Sequence, residues 1–303
     1  MRVLVLTNPQ PNQAALVHKL SEHCQVMGVV LSANIPRRPP KRRIRLSANR
    51  IAGRTVGRPF VKAWREMLER YDRLGARFPA VPQIEVANVN DPPVLNAIHE
   101  VAPDLVVVSG TNIVDVAVME ACTKGMGIVN LHTGISPQVR GGPNCTNWCL
   151  ARGWFHLIGN SIMWLDPGID SGNLIATERT PLTGGETLAE LHWKVMEHAH
   201  DLYLRAISAI EVGRRVPNVP QDRVGRGTTF RNADWTALEM LRARRNFRRR
   251  YPRDVASAPH SVSLVSLDDL SRIVPVAEHA QADREAGEAG PAEAGRSRGR
   301  LTE

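Results

Sequence analysis

Short apolar runs alternate with stretches of helical period along most of the chain. Residues 2–7, RVLVLT, predict a strand, residues 12–20 a helix with Leu16, Val17 and Leu20 inward, and CQVMGVVLS a second strand. The stretch 36–58 has no clean periodicity. Helical spacing returns over residues 61–74, where Trp64, Met67, Leu68 and Tyr71 share a face. IEVANVN then predicts a strand, 91–101 a helix, PDLVVVSG a strand and 114–122 a helix. The apolar run 126–129 predicts a buried strand that delivers Asn130 and His132 at its end, and strand alternation puts these two side chains on one face. A loop rich in Gly and Pro follows over 133–144, then a short helix over 145–152, a strand over 157–165 and a tight turn over 166–170. GNLIATERTPL predicts one more strand. Thr187 and Glu190 form a capping-box pattern opening a helix that runs to Gly213 with Leu188, Leu191, Val195, Ala199 and Leu202 on its apolar side.

Strands alternating with helices imply an α/β fold: a Rossmann-like, mostly parallel sheet with helices on both faces and ligands beyond the strand C-terminal ends. The turn after the first strand, Asn8-Pro9-Gln10-Pro11, lacks GxGxxG, which counts against a dinucleotide there. Beyond Arg215 the pattern changes. Residues 1–215 read as the main domain, 216–260 as a small basic extension with one helix from about Trp235, and 261–303 as a tail expected to be disordered. Its last part, 277–303, is rich in Ala, Glu, Gly and Arg and has no aromatic residue.

Composition narrows the function classes. A chain of 303 residues with 43% hydrophobic content can bury a full core. The apolar run at the start is too short for a signal peptide, and no run approaches the roughly 20 apolar residues of a membrane helix, so no membrane partner and a cytoplasmic location are expected. Cys24, Cys122, Cys145 and Cys149 are too few for a disulfide framework and read as buried small hydrophobes. His192, His198 and His200 do not stack on one helix face, so they are expected to be solvated or capping rather than metal ligands. The net charge of +9 is local: nine basic residues lie between Arg37 and Arg58 and seven between Arg242 and Arg253, with no acid in either span. Without those sixteen the remainder is net acidic, so the basicity is two patches, anion-binding or merely solvated.

The turn over 166–170 can return Asp170 toward Asn130 and His132. An amide, an imidazole and a carboxylate converging at strand ends suit acyl transfer to an amine without a covalent intermediate: the amide donates to a developing oxyanion, the imidazole moves a proton, and the carboxylate orients and charges the imidazole. The stretch carrying them closely resembles the folate-dependent formyltransferase family through Asn130-Leu131-His132, Ser136-Pro137, Arg140-Gly141 and Asp170-Ser171-Gly172, over roughly residues 1–212.

The resemblance implies 10-formyltetrahydrofolate as donor, no metal, and Asn130, His132 and Asp170 as catalytic residues. It implies a pterin pocket from two loops, Thr111, Asn112, Ile113 and Val114 with Asp166, Pro167, Gly168 and Ile169. Asn8, Gln10, Thr133, Gly134, Arg140 and Gly141 are the acceptor-binding candidates. Cys145 paired with His132 as a nucleophile is the other chemistry these residues allow, but transfer from formylfolate needs no acyl-enzyme. The sequence departs from the common family pattern where Thr133-Gly134 replaces Pro-Ser, and where Met163-Trp164 fall near a histidine of several relatives. These changes suit a small, unusual acceptor. The acceptor expected is an amino sugar carried on a nucleotide, because the core and the GRGTTFRNADW segment resemble sugar N-formyltransferases. The competing readings are a methionyl-tRNA formyltransferase, a formylfolate hydrolase using the same triad, and an RNA-binding module on a degenerate scaffold; a homodimer is left open.

Overall fold

The fold is that of a computed structural model, which describes residues 1–36, 55–142, 144–256 and 262–268. Runs rich in β-branched residues form the strands of a seven-stranded sheet. They are β1 (Arg2–Thr7), β2 (Gln25–Ser32), β3 (Gln83–Val86), β4 (Leu105–Ser109), β5 (Ile128–His132), β7 (Gly159–Trp164) and β8 (Leu174–Arg179), in the order β3-β2-β1-β4-β5-β7-β8. The first five are parallel; β7 runs antiparallel to them, and β8, antiparallel to β7, resumes their direction. Between β1 and β4 the chain changes the direction in which it adds strands, which opens a crevice beyond their C-terminal ends.

Helices cover both faces. On one, α1 (Pro11–Ser21) and the 24-residue α6 (Leu188–Glu211) pack Leu16, Val17, Leu20, Leu202, Tyr203 and Ile207 on Val3, Val5, Val107 and Val129. Tyr203 is fully buried, and its hydroxyl donates to the Val129 carbonyl at 2.6 Å, tying α6 to β5. On the other face, α3 (Pro92–Val101) and α4 (Val116–Ala121) bring Val94, Ile98 and Val118 onto Leu4, Leu6, Val106 and Val108. Side chains buried this fully contribute about 1.5–3 kcal/mol each. The amphipathic α2 (Arg58–Arg73) lies over α1 and α6, burying Met67 and Tyr71. Thr187 closes both bonds of the expected capping box at the start of α6.

Several expectations shift. The strand predicted over IEVANVN ends at Val86, because Asn88 and Asp91 bend the backbone: Asp91 accepts from the Asn88 N–H at 2.8 Å. The strand predicted over 157–165 starts at Gly159, after a 3-10 turn from Phe155 to Leu157. His192 and His200 are 3% and 0% exposed, not solvated: α2 covers the side of α6 they occupy, Trp64 packing on His192 and Tyr71 on His200. The basic residues from Arg37 to Arg54 and the tail 277–303 lie outside the described residues.

The segment after α6 lies against the same body. The loop after β5 contains β6 (Val139–Gly141), which pairs in parallel with β9 (Thr228–Phe230). A short α7 (Gln221–Val224) precedes β9, and α8 (Ala237–Arg249) packs on α5 (Cys145–Arg152). The Asn246 amide donates to the carbonyls of Leu150 and Ala151 in the last turn of α5, at 2.9 and 3.0 Å. Trp148, Phe230, Trp235 and Phe60 share one aromatic cluster, with Trp148 and Phe230 stacked at 4.2 Å. Among the described residues no helix is long and apolar enough to cross a membrane.

Candidate active site

A cleft of about 680 Å³ opens at the C-terminal edge of β1, β4 and β5. Its first wall is the turn after β1, with Asn8, Gln10, Asn12 and Gln13. The loop after β4 supplies Thr111, Asn112, Ile113 and Val114, and the turn before β8 supplies Asp166, Gly168, Ile169 and Asp170. Asn130, His132 and Thr133 project from the end of β5, and Gly141 from β6. Three sequence candidates do not line it. Pro167 is exposed at the tip of its turn. Arg140 sits opposite Thr229 in the β6–β9 pair, its Nε buried without a hydrogen-bond partner. Gly134 lies behind the imidazole, where a Cβ would come within 2.6 Å of His132 Nε2.

Asp170 meets His132 through a backbone conformation rare for a residue with a side chain, φ +48°. Its Oδ2 stands 3.4 Å from His132 Nδ1 and accepts from the Gly141 N–H at 2.9 Å. Gly141 is at φ +86°, and a Cβ there would lie 2.1 Å from the Phe230 carbonyl, so only glycine lets β6, β9 and the carboxylate meet. Gln221 secures the turn from outside, its amide donating to the carbonyls of Asp170 and Gly172, both at 2.8 Å.

The imidazole is 8% exposed and engaged on both nitrogens. Nε2 faces the Val139 carbonyl at 3.2 Å and the Cys145 sulfur at 3.5 Å. Burial works against its charged form, but the carboxylate of Asp170, then Cys145 and the Val139 carbonyl, outweigh it and lift its pKa to about 10. At neutral pH His132 is therefore an imidazolium. Burial pushes the Cys145 thiol up, against the reactive thiolate a nucleophile needs. Asn130 is half-buried and makes no hydrogen bond to the described residues, so its amide is open to the cleft.

Sequence reasoning missed the opposing wall, made by Phe230, Arg231 and Asn232, and the side formed by Trp64 of α2 and Met196 of α6. Arg231 is the only Arg or Lys among the described lining residues. Asn12 is 1% exposed, and neither its Oδ1 nor its Nδ2 has a partner. A buried amide left unpaired costs about 1–3 kcal/mol, and at the cleft lining this one is placed to bond a ligand or a water. An asparagine just inside a helix that opens with Pro11 was the available signal for Asn12; nothing in the spacing pointed to Arg231.

The Formyl transferase family pattern matches residues 1–207. A methionyl-tRNA formyltransferase from Syntrophus aciditrophicus is 30% identical over 143 residues, which cover 47% of this chain and 44% of that protein. The chain thus spans less than half the length of the curated relatives it matches. A 4-N formyltransferase from Francisella tularensis superposes with a TM-score of 0.52 at 14% identity, covering 80% of this chain and 87% of that one. The formyltransferase PseJ from Anoxybacillus kamchatkensis, solved with UDP-4,6-dideoxy-4-formamido-L-AltNAc and tetrahydrofolate, gives a TM-score of 0.44 at 16% identity, covering 77% and 87%. At 14% identity the likeness to the Francisella structure shows the fold alone.

Proposed function

The chain belongs to the formyl transferase family, and on that premise we propose that it passes a formyl group from 10-formyltetrahydrofolate directly to a primary amine. The observation that carries this is a buried, charged His132–Asp170 pair beside the open amide of Asn130. A neutral amine attacks the formyl carbon, forming the C–N bond while the carbonyl electrons move to oxygen. Asn130 donates to that oxyanion. The His132 imidazolium stabilises it by its charge: with Nε2 turned to Val139, it offers the cleft a positive charge rather than a free N–H. Asp170 Oδ1 has no partner among the described residues, so it accepts the proton lost by the attacking amine. Collapse breaks the bond to folate N10, which takes up the proton that Asp170 received from the amine and leaves as tetrahydrofolate. The loops 111–114 and 166–169 take the pterin, and no step needs a metal.

An amino sugar on a nucleotide is the acceptor this cleft supports best. Arg231 meets a phosphate, the unpaired Asn12 amide at the opening turn of α1 meets a phosphate or sugar hydroxyl, and Trp64 offers a ring face. Arg231, the one Arg or Lys among the described lining residues, suits one or two phosphates. The test is to incubate the purified chain with formylfolate and, separately, nucleotide-linked amino sugars, methionyl-tRNA, or no acceptor, reading tetrahydrofolate release and product mass. Formamide on a sugar nucleotide is the expected result. Folate release without acceptor would make the protein a hydrolase, and formylation of methionyl-tRNA alone would replace the acceptor.

A further inference from the structure

The two basic stretches of the sequence fall far apart along the chain, yet α2 and α8 bring parts of them onto one face. Arg58, Lys62 and Arg65 of α2 line a groove with Arg244 of α8, and Arg244 continues into a second hollow with Leu241, Arg245, Arg248 and Arg249. All seven basic side chains are exposed and none lines the catalytic cleft. Lys62 and Arg65 have only exposed intrahelical partners, Glu66 and Glu69. Arg58, Arg244, Arg245, Arg248 and Arg249 have no carboxylate partner among the described residues.

Like charges at i,i+4, Arg244 with Arg248 and Arg245 with Arg249, repel one another on a helix. An extended anionic partner would relieve that repulsion more fully than dilute salt does. Apolar side chains are mixed into the same face: Val61 is 65% exposed, Leu238 55% and Leu241 49%. Val61 borders the groove and Leu241 the second hollow, so the leucine and valine side chains lie among the cations rather than apart from them. Cations that attract anionic headgroups, interspersed with aliphatic side chains that enter the interface, are what a membrane-surface helix presents. A nucleic acid would use the arginines but leave the aliphatic side chains idle; the two rings nearby, Phe60 and Phe247, which line a third hollow with Lys62, Arg244 and Arg248, are already packed on Trp235 and Tyr251.

We propose that this α2–α8 face docks the protein on an anionic lipid bilayer, as a peripheral rather than a spanning attachment. Catalysis and docking then use separate side chains.

The test is flotation of the full chain with vesicles of phosphatidylcholine alone or mixed with phosphatidylglycerol. Binding is expected to the mixed vesicles only, weakening as salt rises. Changing Arg244, Arg245, Arg248 and Arg249 together to Gln should weaken it at least about tenfold. Changing Leu238 and Leu241 to Ser should weaken it less, and leave the salt dependence in place. Circular dichroism and melting temperature check that both variants fold; as these side chains are exposed, neither should change. No binding of the parent protein to mixed vesicles at low salt would overturn the proposal. So would binding that survives the four-arginine change, or salt-dependent tRNA binding by filter assay that the leucine variant retains while vesicles fail to compete.

Discussion

Asn130 and His132 reach the cleft from one strand, two residues apart, and Asp170 joins them from the loop that connects β7 to β8. Phe230, Arg231 and Asn232 reach it from beyond α6, held there by the β6–β9 pair and by stacking of Phe230 on Trp148. The floor is thus local in sequence and chemically dense, while the facing wall is remote and carries one cation among the described residues. Under the proposed function, reaction chemistry falls to the floor and acceptor choice to the wall. The contrast also identifies their joint: the Gly141 N–H on Asp170, Phe230 packed on Gly141, and Gln221 bonded to the backbone of the Asp170 turn.

Breaking the floor should have the largest effect. His132→Ala and Asp170→Ala are each expected to lower formyl transfer at least about 100-fold, as loss of an acid-base or oxyanion group does. Tetrahydrofolate binding by calorimetry should largely persist. Full activity in either variant would remove the pair from the mechanism.

The charged pair also ties stability to pH. The folded pKa of His132 is raised to about 10 from an ordinary 6.5. Its contribution is therefore fully present below about pH 6.5 and lost as pH rises through about 10. Melting temperature should fall across that window in the parent protein and fall less in His132→Gln. Parallel curves for the two proteins would show that the imidazole is neutral in the fold.

The joint comes next. Gln221→Ala leaves the carbonyls of Asp170 and Gly172 without this donor and should cost about 1–3 kcal/mol of stability by denaturant unfolding. Because the Asp170 turn loosens, turnover should fall while the Michaelis constant for the acceptor changes little. An acceptor effect larger than the turnover effect would place Gln221 with the wall instead.

Arg231→Gln is the mildest change and sharpens the contrast most. Losing one phosphate contact should raise the acceptor's Michaelis constant about tenfold, near 1.4 kcal/mol. Turnover at saturation and the constant for formylfolate should stay within a few-fold. A change confined to formylfolate would mean that Arg231 holds the donor's carboxylates and that the wall belongs to the folate.

What the sequence determined alone is whatever depends on near neighbours. The β-branched runs specified β1, β2, β4 and β5, Thr187 and Glu190 specified the start of α6, and strand alternation put Asn130 and His132 into one cleft. What only the tertiary structure decided depends on contacts between distant segments. No periodicity in a Gly- and Pro-rich loop announces β6, because a three-residue strand exists only when β9 arrives to pair with it. His192 and His200 look polar in sequence and are buried because α2 lies across them. Whether His132 is charged follows from the packing of Asp170 and Val139 around its ring, since the favourable charge falls off with distance while burial penalises the imidazolium wherever it sits.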